Sequence, residues 1–224
     1  MAINLVNVLR KSFTEQAYQE ISQYVDINTE STKNGVKAII PVILASILGN
    51  NTENSTTQPS WWNTLKDEYP FTDDEFIDTD SIKNSSFIIK GREILAVTFK
   101  TYHDELVASV SSIAGIQKEK AATLIEVSVP LIVGFLTNWL QRKGWKFKDL
   151  IKNLLQTKPE IIGALPMGIS PAYFSLTNVS KNDFSKTIET AIPTKVKITG
   201  KSRNGLMWFI GLVVLALVLW YFLS

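Results

Sequence analysis

Two apolar stretches decide the fold of this chain: Gly35-Val36-Lys37-Ala38-Ile39-Ile40-Pro41-Val42-Ile43-Leu44-Ala45-Ser46-Ile47-Leu48 and Leu124-Ile125-Glu126-Val127-Ser128-Val129-Pro130-Leu131-Ile132-Val133-Gly134-Phe135-Leu136. Each has a proline near its middle, and the second follows the first at a constant offset of 89 residues. After the proline, each is apolar nearly all round, which is typical of a helix buried on every side. A proline inside a helix removes a backbone hydrogen bond, so we expect a kink at Pro41 and Pro130.

Insertion of these stretches into a bilayer is the alternative to burial in a core. The apolar run from Ala38 to Leu48 has 11 residues, and that from Val127 to Leu136 has 10. A helix that spans a bilayer needs at least about 17. Their length therefore favours two central core helices.

The match extends beyond the two prolines and indicates an internal duplication. At the same offset, apolar residues meet apolar residues, and the turn Asp26-Ile27 is repeated as Gly115-Ile116. The matched pairs are Phe13 and Tyr102, Ile21 and Val110, Ile27 and Ile116, Val36 and Ile125, Ile43 and Ile132, and Ile47 and Leu136. We predict an all-α fold in which two three-helix-type units, about residues 1–50 and 90–140, pack as one helical body.

The remaining boundaries follow from changes in composition. Residues 51–86 form a polar and acidic insert that contains Trp61 and Trp62, which either dock onto the body or form an exposed partner site. Closing helices are predicted over 146–165, so that the body covers 1–170. Residues 171–204 are rich in Ser, Thr, Asn and Lys and are predicted to be a polar, basic tether.

A single transmembrane helix is predicted over residues 205–224. Leu206 to Leu223 is apolar apart from Gly211, and as a helix it spans roughly 27 Å, close to the bilayer's ~30 Å hydrocarbon core. Between Lys181 and Arg203 there are six basic and two acidic residues, which predicts a cytoplasmic N-terminal part. With only Ser224 after the span, we expect a tail-anchored, single-pass protein of the bacterial inner membrane, bound to the lipid bilayer through Leu206 to Leu223.

The chain resembles the YidB-like family, a bacterial domain of unknown function that is often duplicated. The resemblance lies in the opening segment Ile3-Asn4-Leu5-Val6-Asn7-Val8-Leu9, in residues 31–48, in Ala114-Gly115-Ile116 followed by residues 129–136, and in residues 149–155 and 162–168. These patterns consist of small and apolar residues. The family offers no catalytic residues that could be transferred to this chain.

Residues suited to catalysis are scarce. The chain has no cysteine and one histidine, His103, whose neighbours Asp104 and Glu105 leave it short of a ligand set or a general-base arrangement. No glycine loop has the lysine and spacing of a nucleotide site. Glu126 is either a buried acid or faces a groove. We therefore predict no enzyme, no metal and no cofactor.

The most functional-looking surface is basic and aromatic. It comprises Arg142, Lys143, Trp145, Lys146, Lys148 and Lys152. Such a face suits anionic headgroups or a partner protein, although a solvated face with aromatics turned into the core is equally compatible. The net charge of +2 gives no argument for a polyanion, and we expect no nucleic-acid partner.

We predict from these features an interaction or scaffold protein at the membrane, whose partner is another copy of itself or an envelope protein. The alternative is a module that binds an apolar ligand or a lipid in the space between the kinked helices.

Overall fold

A computed structural model describes residues 2–49, 51, 58, 76–77, 79–83, 85–99 and 101–176. Within these ranges every regular element is helical, as predicted, and two 3₁₀ turns, Asp80–Lys83 and Pro171–Phe174, accompany the α-helices. The α-helices are α1 (Leu5–Ser12), α2 (Glu15–Val25), α3 (Thr29–Gly49), α4 (Ser85–Thr98), α5 (His103–Ala114), α6 (Lys118–Lys143), α7 (Phe147–Gln156) and α8 (Lys158–Ala164).

Side-chain caps explain where the first three helices begin. The Asn4 side chain accepts a hydrogen bond from the Asn7 N–H at 3.0 Å, and Thr14 does the same for Ala17 at 3.1 Å. Before α3, the Asn28 side chain accepts from the Ser31 N–H at 2.8 Å. Each cap satisfies a backbone donor that has no partner inside its helix.

The two proline-containing helices lie at the centre of the body. Helix α3 contacts α1, α2, α5, α6, α7 and α8, and α6 contacts α2, α3, α4 and α5. Every residue from Ala38 to Leu48 and from Val127 to Leu140 is buried. Both helices are long and apolar enough to cross a membrane, but 78% and 83% of their most apolar windows are buried inside the protein. The prediction that they are core helices is confirmed.

The turns that lead into α3 and α6 have the same geometry. Asp26 and Gly115 both adopt the left-handed conformation, with φ of 60° and 64°. The Ile27 N–H donates to the Ser22 carbonyl, and the N–H of Ile116 donates to the Ser111 carbonyl, each at 3.1 Å. This bond satisfies a carbonyl at the helix end.

Both helices continue through their prolines. Pro130 has no N–H to offer the carbonyl of Glu126, four residues earlier. Gly91 of α4 packs against that carbonyl and against the Pro130 ring, where a Cβ on Gly91 would overlap the carbonyl oxygen. The absence of a side chain at Gly91 therefore lets α4 approach α6 closely at this point.

The body continues past its predicted end at residue 170, and part of the insert predicted within it is helical. Helix α4 begins at Ser85, inside the predicted insert, and the Ile77 N–H donates to the Ser12 carbonyl at 2.9 Å. Residues Pro171–Phe174, assigned to the tether, form a 3₁₀ turn that contacts α3, and Leu176 is buried. Apolar side chains decide both changes, because Ile77, Ile82, Phe174 and Leu176 all join the core.

Several predictions fall outside the described residues: Trp61 and Trp62, the tether from residue 177, and the span Leu206 to Leu223. The described residues all belong to one compact unit, Met1–Val179.

Candidate functional site

The predicted basic surface lies at the end of α6 and along α7. Arg142 and Lys143 occupy the last turn of α6, where cations interact favourably with the helix dipole. Gly144 ends the helix in a left-handed conformation with φ of 63°, and a Cβ there would touch nothing within 4 Å. Trp145 and Lys146 then connect α6 to α7.

Aromatic rings hold the cations at the end of α6. The Arg142 guanidinium carbon lies 5.7 Å from the centre of the Phe135 ring, and the Lys143 Nζ lies 6.0 Å from the Trp139 ring. Trp145 packs edge-on against Trp139, with ring centres 5.2 Å apart. A cation held near an aromatic face keeps its charge while its stem covers apolar surface.

The lysines of α7 form a different part of the surface. Leu150, Ile151 and Leu154 face the core, so Lys148 and Lys152, which are four residues apart, share the exposed side. The Lys146 N–H donates to the Asp149 carboxylate at 2.8 Å, which places an acid among the lysines. The predicted set thus lies partly at the end of α6 and partly on the exposed side of α7.

A cleft of about 340 Å³ adjoins the end of α6. Its cationic residues are Lys11 from α1 and Arg142 and Lys143 from α6. Its other lining residues are Val8, Ser12, Phe76, Phe135 and Trp139. Of the predicted surface residues, only Arg142 and Lys143 reach this cleft.

Lys11, Val8, Ser12 and Phe76 were missed by the sequence analysis. The last turn of α1 is basic, with Arg10 and Lys11, but a basic turn gives no sign of which distant helix it will meet. The bond from the Ile77 N–H to the Ser12 carbonyl holds Phe76 at the cleft, where its side chain is 55% exposed. Only the folded chain brings these residues together.

Glu126 is ion-paired. Its carboxylate accepts two hydrogen bonds from the Arg92 guanidinium of α4, at 3.1 and 2.9 Å, and its side chain is 21% exposed. The bidentate pair with Glu126 raises the pKa of the Arg92 guanidinium. This pair joins α4 to α6 one turn before Pro130 and has a structural role.

His103 begins α5 and is 41% exposed, as expected of a solvated helix start. Its Nδ1 lies 3.4 Å from an Asp104 carboxylate oxygen. Among the described residues there is no group of three histidine, cysteine or acidic side chains that could hold a metal ion.

Two buried tyrosines have perturbed ionisation. Burial raises the pKa of Tyr18 to about 12, with a smaller opposing effect from the charge of Arg10. Burial also raises the pKa of Tyr102, whose ring stacks on Tyr173 and meets Phe99 and Phe174 edge-on. In both cases removal from water disfavours the phenolate.

These features define an all-helical domain with a basic and aromatic cleft. Residues 7–138, more than half of the chain, match the family model for bacterial proteins of unknown function, DUF937. The chain therefore belongs to this family, the YidB-like family, in agreement with the resemblance seen in its sequence. No curated protein and no solved structure matches it.

Proposed function

We propose that this protein is a non-catalytic scaffold tethered to the bacterial inner membrane, with its helical body in the cytoplasm. The observation that carries the proposal is the surface at the end of α6, where Arg142 and Lys143 lie over aromatic rings beside an open cleft. Cations backed by aromatic rings suit a membrane surface or a protein interface, since both sites combine apolar and charged contacts.

The tail supports the membrane part of the proposal. Leu206 to Leu223 has the length and composition of a single span, with Trp208 towards one end and Trp220 and Tyr221 towards the other. Because α3 and α6 are buried in the body, we assign the attachment to the membrane to the tail. The excess of Lys and Arg over residues 181–203 favours a cytoplasmic body.

The partner of the scaffold is another copy of the chain or an envelope protein. The proposed binding surface comprises the cleft and the neighbouring Trp145.

Fractionation of cells that produce the full chain tests the membrane part. We expect the protein to remain in the membrane pellet after alkaline carbonate extraction, and a form cut after Leu176 to become soluble. Protease added to spheroplasts should leave the body intact. Recovery of the full chain in the soluble fraction, or digestion of the body in intact spheroplasts, would contradict the proposal.

We further propose that the body arose by duplication. Helices α3 and α6 begin at the predicted offset of 89 residues, and so do the left-handed residues Asp26 and Gly115. All six matched pairs have the same burial class in both halves. A Cβ on Gly35 would overlap Leu124, the residue that matches it at this offset. Contact between matched positions is expected where two related units pack about a local twofold axis.

The second candidate is a module that binds a lipid or another apolar ligand. The observation that favours it is the cleft, whose wall includes Phe76, Phe135 and Trp139. This cleft lies between α1 and the end of α6, whereas Pro41 and Pro130 are buried in packed core. Mass spectrometry of the protein purified from membranes tests this candidate, and repeated absence of a retained ligand would count against it.

A further inference from the structure

We infer that an uncharged face of the body, formed by α5 and the segment that follows α8, lies against the lipid bilayer. This uncharged face consists of the exposed side chains of residues 106–117 and 161–176. Its large apolar members are Ile113, Met167 and Tyr173. The inference rests on the proposed attachment by the tail, and it adds which side of the body meets the lipid.

The two segments of this face lie side by side. The Ser109 Oγ donates to the Met167 carbonyl at 2.9 Å, and Tyr102, just before α5, stacks on Tyr173 with ring centres 5.2 Å apart. The segment after α8 therefore runs antiparallel to α5, from Ser109 back to Tyr102. These contacts hold the backbone at Met167, yet its side chain is 91% exposed. A methionine held in water in this way offers apolar surface to a partner.

Charge is missing from both segments. The chain has 20% charged residues, but residues 106–117 and 161–176 contain none. The uncharged runs in the middle of α3 and α6 are buried, whereas these two segments include many exposed positions. Asp104 and Glu105 limit the face at the start of α5, and Lys118 follows it at the start of α6. Since charged side chains are costly to bury in lipid, an uncharged face can approach the hydrocarbon without that cost.

The matching helix of the first half, α2, has a more polar surface. At the offset of 89 residues, long polar side chains on α2 meet small ones on α5: Gln19, Glu20 and Gln23 correspond to Ala108, Ser109 and Ser112. Glu20 accepts a hydrogen bond from the Thr79 hydroxyl, whereas Ser109 holds the segment after α8. The exposed side of α5 is therefore less polar than that of α2, although the buried sides of the two helices match.

The size of the face favours a bilayer over a second copy of the chain. A stable interface buries about 800 Å² on each partner. The face has three large apolar side chains, and two of them, Ile113 and Tyr173, are already more than half covered. Contact with the bilayer needs less area, because the proposed tail confines the body beside the membrane and raises its effective concentration there. Tyrosine is also enriched at membrane interfaces.

The described body ends at this face. Leu176 is its last described residue, and 29 residues separate it from the predicted span that begins at Leu206. Fully extended, these residues reach about 100 Å, so their length allows any side of the body to meet the bilayer. The chemistry of each side therefore decides which one does, and the uncharged face is also the one at the exit of the chain.

The test uses the full chain in vesicles. Because the chain has no cysteine, S112C and Q23C each carry a single fluorophore, one on the uncharged face and one at the matching exposed position of α2. The vesicles are phosphatidylcholine, with or without phosphatidylglycerol, and contain lipids spin-labelled near the headgroup, which quench a fluorophore that touches the bilayer. M167D adds a charge to the face, and Q19D adds the same charge to an exposed position of α2.

We expect strong quenching of the S112C label and little quenching of the Q23C label. In the S112C background, M167D should lower the ratio of docked to free bodies roughly 10-fold or more, while Q19D should leave it within about twofold. Quenching should be the same with and without phosphatidylglycerol and at low and high salt, because the face has no charge to be screened. Both variants replace exposed side chains, so circular dichroism should show unchanged helix content.

Equal quenching of the two labels, or quenching of the S112C label that M167D leaves unchanged, would overturn the inference. Quenching that high salt abolishes would also overturn it, because charged residues elsewhere would then make the contact. Energy transfer between copies labelled at S112C, without quenching by lipid, would assign the face to a second copy instead. Flotation of the same vesicles reports separately on the tail. A chain that floats without quenching contradicts only this inference, whereas a chain that fails to float contradicts the proposed attachment.

Discussion

Helices α3 (Thr29–Gly49) and α6 (Lys118–Lys143) hold comparable places in the body but meet different surroundings. Both follow a left-handed turn, contain a proline and are buried after it. Helix α6, however, continues for five residues past Asn138, the position that matches Gly49. Those five residues include Trp139, Arg142 and Lys143, which line the cleft.

The surroundings of the two prolines differ as well. Gly91 of α4 packs against Pro130 and the Glu126 carbonyl, and Arg92 pairs with the Glu126 side chain. The residue that matches Glu126 is Lys37, which is exposed. The apolar residues that match between the two halves form the core. The residues that differ between the halves form the cleft and the ion pair at the surface.

The largest expected effect concerns the shared core. Ile43 and Ile132 match at the repeat offset, and both are almost fully buried. We expect I43A and I132A each to lower the free energy of unfolding by about 2–5 kcal/mol, because each removes buried methyl groups and leaves a cavity. Urea unfolding followed by tryptophan fluorescence measures this. Effects that differ by more than about 2 kcal/mol would break the comparison between the halves.

The next effect distinguishes two helical glycines. A Cβ at Gly91 would overlap the backbone carbonyl of Glu126, whereas a Cβ at Gly35 would overlap the side-chain Cδ2 of Leu124, which can rotate away. We expect G91A to destabilise the protein by about 1–3 kcal/mol. G35A should cost less, because the better helix propensity of alanine offsets part of the clash. If G91A and G35A lower the thermal stability equally, this would argue against close packing at Gly91.

A smaller effect concerns the repeated turn. Gly115 has φ of 64° and open space around its Cβ position, so G115A tests backbone conformation alone. We expect a loss of about 1 kcal/mol. Asp26 holds the matching conformation and pairs with Lys120 at 2.9 Å, so D26G relieves strain but removes that contact. The free energy of unfolding should change less in D26G than in G115A. Chemical denaturation of both variants measures this difference.

The smallest effect appears only in alkali. Burial raises the pKa of Tyr102 above its ordinary value of 10.0, so unfolded chains ionise first, and this residue's contribution to stability is lost as the pH rises above about 10. Y102F installs a residue like Phe13, its match in the first half. The variant should lose less stability between pH 9 and 11, with Y24F at an exposed site as control. If the free energy of unfolding of Y102F falls between pH 9 and 11 as steeply as that of the wild type, this prediction is wrong.

The sequence allowed much of the fold to be predicted. The all-helical class and the burial of both proline-containing stretches agree with the prediction. Periodic apolar residues and the turn residues around Asp26 and Gly115 are local signals that a single chain displays. The end of the body was nevertheless predicted too early, because the burial of Phe174 and Leu176 depends on distant helices.

The candidate site was only half predictable. Arg142, Lys143 and Trp145 stand together in the sequence, so their basic and aromatic character is visible there. Lys11 and Phe76 join the cleft only through the packing of α1 and the bond between Ile77 and Ser12. Lys148 and Lys152, predicted as part of the same surface, lie on the exposed side of α7 and do not line the cleft.

By itself, the sequence determined the helical class, the two buried proline helices and the family, because hydrophobic periodicity and turn residues act over a few neighbours. Only the tertiary structure decided which surface residues share a cleft and what covers Pro130. Gly91 meets Pro130, and Lys11 meets the end of α6, through contacts between segments far apart in the chain. Such contacts depend on how whole helices pack, which no local pattern of residues specifies.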